Sequence, residues 1–115
     1  MKKVFILLMG TCSLISCLKI DCDKAAQAAK ERECLLIIEQ ELSTSTPYLN
    51  AKGRNLLTKE PCECKDEGRW WVQYREYMSV GDTLIKRKGE LVFYIHKKDT
   101  ILSFPWGECE GKIYE

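Results

Sequence analysis

Cys62, Cys64, Cys109 and His96 are the residues of this chain whose types could hold a metal ion, and Cys62-Glu63-Cys64 is its closest-spaced pair of thiols. Structural zinc sites draw their ligands as close pairs from two places in the sequence. Only one such pair exists here, so no metal is expected. No Cys-x-x-Cys occurs, which argues against thiol redox catalysis. The single histidine, His96, alternates with Val92 and Tyr94 and has no recognisable nucleophile context, so a strand histidine without a catalytic role is expected. Acidic residues are plentiful, yet no pair is placed by spacing as a glycosidase acid and nucleophile. Trp70-Trp71 and Trp106 could stack on a glycan or anchor a partner; in so small a chain they are expected in the core. No catalytic residue and no cofactor is therefore assigned.

The fate of the thiols depends on the compartment. Lys2-Lys3, the apolar run Val4 to Met9 and the small residues that follow have the three parts of a secretory signal. The apolar part is too short to span a bilayer as a helix. Leu14-Ile15-Ser16-Cys17 resembles the lipobox of bacterial lipoproteins: an aliphatic residue, a tolerant position, a small residue, then the cysteine that is lipidated and becomes the new N-terminus. Cys12 fits less well, because Met9-Gly10-Thr11 lacks the aliphatic residue. The resemblance implies a signal peptide over residues 1–16, a lipid-anchored tether over 17–23 and one small domain over 24–115. It also implies membrane attachment through Cys17. Leu18 and Lys19 lack the aspartate that retains many lipoproteins at the inner membrane, which favours the outer membrane, facing the periplasm.

Removal of Lys2 and Lys3 leaves 16 basic residues against 17 acidic ones. That balance gives no general attraction to nucleic acid. Five cysteines then remain besides Cys17: Cys22, Cys34, Cys62, Cys64 and Cys109. An exported chain meets an oxidising environment that favours disulfides, and an odd number leaves a thiol over. Cys62 and Cys64 pair poorly with each other, since the intervening peptide would have to distort. In an extended segment both point to one face, so one of them is expected to pair with Cys109 or Cys34. Cys22, near the anchor, is the expected odd thiol.

Asp21 or Asp23 can cap a helix over the alanine-rich stretch to Arg32. Cys34 to Ser43 is expected as a strand, with a buried helix as the alternative, followed by a connection through Ser43-Thr44-Ser45-Thr46-Pro47 into Tyr48 to Ala51. Lys52-Gly53-Arg54-Asn55 reads as a turn. Leu56 to Lys65 reads as an edge segment because of Pro61. Trp70, Tyr74 and Tyr77 recur at helical spacing, while Trp70-Val72-Tyr74 also permits a strand. Leu84-Ile85, a basic turn over Lys86-Arg87-Lys88-Gly89, then Leu91 to Ile95 form a hairpin, and Thr100 to Phe104 adds another strand ended by Pro105. Leu91, Phe93 and Ile95 are expected to face the core. The expected class is α+β, an N-terminal helix with a small antiparallel meander or open barrel, in outline like the oligonucleotide/oligosaccharide-binding (OB) order of three strands, helix, two strands.

Tyr77 to Lys86, containing Val80-Gly81-Asp82-Thr83, resembles a segment of small, functionally uncharacterised envelope lipoproteins of Bacteroidota-type bacteria; Thr83 stands where Ser is common. Gly81 can take the positive φ of a tight turn, and Asp82 can accept amide hydrogens just beyond it. Lys86, Arg87, Lys88, Lys97 and Lys98 are expected in solvated turns, with contact to anionic headgroups or an acidic partner as the alternative. The expectation for function is an envelope lipoprotein with a non-enzymatic binding or structural role, with an envelope protein as possible partner. The alternative is an immunity or inhibitor lipoprotein neutralising a toxin or hydrolase, and behind it a cell-wall-active enzyme.

Overall fold

Asp21 opens the first helix, its side chain accepting the Lys24 amide at 3.1 Å. The computed structural model describes residues 21–66 and 69–115. The signal segment and the Leu14–Cys17 motif lie outside the described residues. Helix α1 runs Cys22–Glu31, with Asp23 in its first turn and Lys30 in its last, charges that suit the helix dipole. It therefore begins inside the stretch expected as tether, and Cys22 and Asp23 belong to the fold. Arg32 turns extended and leads into strand β1, Cys34–Ile38.

In β1 the buried residues Cys34, Leu36 and Ile38 alternate with half-buried Leu35 and Ile37, which is strand periodicity and excludes the helical alternative. The strand stops at Ile38 rather than Ser43 because its hydrogen bonds leave the ladder. The Ile38 amide donates to Asp82 O at 2.9 Å, while the Glu39 and Gln40 amides both reach Lys52 O. Strand β2 occupies Leu49–Asn55 and runs straight through the turn expected at Lys52 to Asn55. Gly53 is a close approach, not a turn: a Cβ there would overlap the carbonyl oxygen of Ile37. The actual turn follows, where Asn55 Oδ1 accepts the Leu57 and Thr58 amides. It returns the chain as β3, Pro61–Asp66, an edge strand with Pro61 at its start.

A 3₁₀ helix, Trp71–Tyr77, crosses from that edge to the centre of the sheet. Beyond it come β4 (Thr83–Lys86), β5 (Val92–His96) and β6 (Ile101–Pro105), then a separate hairpin of β7 (Gly107–Cys109) and β8 (Lys112–Tyr114). The main sheet is antiparallel, in the order β3-β2-β1-β4-β5-β6. The helix between β3 and β4 fits the OB-like expectation, but β3 and β5 are not paired. The sheet stays open, and β6 forms its second edge.

Open does not mean flat. Strands separated by one neighbour stand about 9–10 Å apart in a flat sheet. Cys34 of β1 and Cys64 of β3 are nevertheless joined by a disulfide with their Cα atoms 5.8 Å apart. The β2–β3 end must therefore curl over β1, and Gly53 is where β2 lets the backbones meet. On the other half, side-chain rings fill the concave face. Trp71 lies against Phe93 at 5.3 Å, Phe93 against Tyr74 at 6.1 Å, and Tyr74 stacks on Phe104 at 4.0 Å between ring centres. Leu91, Phe93 and Ile95 are buried, with Val92, Tyr94 and His96 half-buried on the opposite side, as strand alternation requires.

Lys86 departs most from its expected setting. It is fully buried, and its Nζ donates to Lys30 O at 3.0 Å, Arg32 O at 2.8 Å and Arg87 O at 2.8 Å. An ammonium has three donors and here finds three acceptors. Two of them are carbonyls at the end of α1, where helices lack internal partners. Lys86 is thus the joint between helix and sheet. Burial lowers its pKa, with Glu90, Glu31 and Glu33 acting in the opposite direction.

Candidate functional site

Ala25, Ala28 and Ala29 line one side of α1, and their small side chains leave room beside it. The opposite wall is Trp70 and Trp106, and Arg32 with Asp66 closes the end. Together they bound a cleft of about 250 Å³. Each wall is held from behind. Trp70 is buried at the start of the 3₁₀ helix. Trp106 sits on the β6–β7 connection, its amide bonded to Leu91 O at 2.8 Å and its ring edge-on to Tyr114 at 5.4 Å. The β7–β8 hairpin is fixed to α1 by the Cys22–Cys109 disulfide and by the Tyr114 hydroxyl donating to Asp23 at 2.8 Å. That hydrogen bond raises the Tyr114 pKa.

The closed end carries the charge. Arg32 Nη1 bonds and ion-pairs with Asp66 Oδ1. Asp66 Oδ2 accepts the Trp71 amide at 2.7 Å, which also fixes the start of the 3₁₀ helix. The carboxylate is 1% exposed and the guanidinium side chain 35%. Losing one partner of such a pair leaves an uncompensated buried charge.

Among the described residues two disulfides form, Cys22–Cys109 and Cys34–Cys64, and Cys62 is free. Cys22, expected as the odd thiol, is paired because it opens α1 rather than lying in a tether. Cys62 and Cys64 do share the inward side of β3, where Pro61, Glu63 and Lys65 are exposed. The curl of the sheet brings Cys64, and not Cys62, over Cys34. Burial pushes the Cys62 thiol up in pKa, which makes it a weak nucleophile. With Cys64 and Cys109 in separate disulfides, the four residues considered for zinc are not gathered. Among the described residues no group of three His, Cys, Asp or Glu is placed to hold a metal.

Gly81 takes φ +97°, the turn conformation expected of it. Asp82 does not accept amide hydrogens beyond itself. Its Oδ2 takes the Ser79 amide at 2.9 Å from behind and Lys97 Nζ at 2.5 Å from the β5–β6 turn. The Gly81 amide bonds to Ile38 O at 2.8 Å, so this turn closes the end of β1. The basic turns do not pool their charge: Arg87 pairs with Glu90, Lys88 with Glu31, Lys97 with Asp82, and Lys86 is inside. His96 lies opposite Thr83 and Ile101 in the sheet. Sequence reasoning missed Arg32 and Asp66. The signal for the cleft was present in Ala25, Ala28, Ala29 and Arg32, an i, i+3, i+4, i+7 series on one helix face; nothing in the sequence marks Asp66 as its partner. No protein-family model, curated protein or solved structure matches the chain.

Proposed function

We propose that this chain is a lipid-anchored envelope protein that acts by binding, with the cleft beside α1 as its binding site. The observation that carries the reading is the cleft itself, a carbon-walled recess between an alanine face and two tryptophans with the Arg32–Asp66 ion pair at its end. Such walls favour apolar groups, and a few placed polar groups set orientation. Two disulfides support an oxidising compartment, and Leu14-Ile15-Ser16-Cys17 supports attachment through Cys17.

Two measurements test it. Cys17→Ala is expected to abolish lipid labelling and release the protein from the membrane fraction; unchanged labelling removes the anchor. Native mass spectrometry of the protein taken from its envelope is expected to find a non-covalent adduct that disappears in Ala28→Phe. Ala28 is exposed on the cleft wall, so the larger ring fills the recess without entering the core. Identical spectra for the two proteins would reject the cleft as the site.

A further inference from the structure

We infer that the cleft takes an apolar carboxylate, with its hydrocarbon or aromatic part between Trp70, Trp106 and the alanine face and its carboxylate on the outward edge of the Arg32 guanidinium. This rests on the binding reading above and names the ligand class.

The sign of the charge follows from the exposure of the Arg32–Asp66 pair. Asp66 is the hidden member, with one oxygen on Arg32 and the other on the Trp71 amide. Arg32 is the solvent-facing member. A guanidinium has five N–H donors in a planar fork, and Nη1 is the donor engaged by Asp66; among the described residues no other acceptor takes a bond from Arg32. The free edge of that fork matches a carboxylate, which it can bind through two parallel bonds. Two carboxylates on the same helix are engaged elsewhere. Glu31 pairs with Lys88, and Asp23 takes the Tyr114 hydroxyl and lies 3.8 Å from Lys112.

The size follows from the volume. An apolar cavity of about 150 Å³ takes a benzene molecule, so a cleft of about 250 Å³ takes a ring with a short arm. A phenyl ring with a two-carbon arm fills it and leaves the carboxylate at the Arg32 end. A free aromatic or short fatty acid has this chemistry, and so does the C-terminal apolar residue of a peptide.

The test uses the full chain in phospholipid nanodiscs, with empty nanodiscs as the blank and ligand-observed NMR as the readout. The probes are 3-phenylpropionate, its neutral amide, and a tripeptide ending in phenylalanine with a free or an amidated C-terminus. The acids are expected to bind about tenfold more tightly than their amides, the scale of a charge-assisted hydrogen bond. The better of the two acids identifies the source, free acid or chain terminus. Ala28→Phe is expected to abolish binding of every probe. Arg32→Gln alone leaves Asp66 charged and buried and can prevent folding. The deciding variant is therefore Arg32→Gln with Asp66→Asn, which removes both charges and keeps a side-chain oxygen for the Trp71 amide. It is expected to bind acid and amide equally. Equal binding of acid and amide by the unaltered chain overturns the proposal. So does acid preference that survives in the double variant, binding that survives Ala28→Phe, or no binding at all. In each of those cases an envelope adduct that Ala28→Phe removes would leave the binding reading standing, and identical native mass spectra for the parent and Ala28→Phe would end both.

Discussion

In β1–β2–β3 the inward positions include Cys34, Ala51, Cys64 and the close approach at Gly53, whereas β4–β5–β6 carries Leu84, Phe93, Ile95 and Phe104. Both halves are three-stranded antiparallel meanders, and they meet at the β1–β4 pair. The small residues let the first half bend until its third strand lies over its first. Besides buried Leu36, Ile38 and Leu49, that bend is tied by a disulfide and by the Arg32–Asp66 pair. The second half bends less and is held by stacked rings. Both halves bury apolar side chains and hold an ion pair; the first adds a covalent tie between its outer strands, and the second adds stacked rings.

Variants can break this contrast. The largest effect is expected from Gly53→Ala, which sets a methyl group against the Ile37 carbonyl and should cost more than about 4 kcal/mol. A urea midpoint equal to that of the parent would mean that the backbones do not meet there. Phe93→Ala removes the centre of the ring stack and should cost about 3–5 kcal/mol; an unchanged melt would reject the register of β5. Cys34→Ala with Cys64→Ala opens a ring with a sequence separation of 30. Its expected loss is about 2–4 kcal/mol, and hydrogen exchange should rise in β3 while β5 stays protected. Equal loosening of both would show the halves to be one cooperative unit.

The smallest effect belongs to the joint between α1 and the sheet. Lys86→Met leaves Arg32 O and Arg87 O without their donor, while Lys30 O keeps the Gly89 amide. The expected loss is about 1–3 kcal/mol. This variant also carries a pH signature. Burial holds the Lys86 pKa below the ordinary 10.5, so between the two values the unfolded chain binds more protons and stability rises with pH. The parent should therefore gain on Lys86→Met as pH climbs from neutral towards 10.5, and lose that gain as pH falls through the folded value. A stability gap that stays constant with pH would contradict the lowered pKa.

Much of the fold was legible because it follows from local rules. Asp21 and the alanine run specify a capped helix, Pro61 marks an edge, and Leu91-Phe93-Ile95 alternates. What escaped depends on contacts distant in sequence. Gly53 looks like any turn glycine until Ile37 is laid against it. Cys62 and Cys64 are equivalent on β3, and the curl alone selects Cys64 for Cys34. Lys86 reads as a turn lysine because the carbonyls that draw it inward belong to a helix some 50 residues earlier, 56 for Lys30. The cleft was half visible, in its alanine face, and its charged end was not.

The two disulfides are nested: Cys34–Cys64 lies wholly inside the loop closed by Cys22–Cys109. A protease that cuts the exposed loop 43–48 therefore releases no fragment. The cut falls within both rings, and the new ends stay joined through Cys34 and Cys64. Any single cut between Cys22 and Cys109 likewise leaves one covalent body, migrating as an intact chain until a reductant is added. This arrangement separates being cut from being lost.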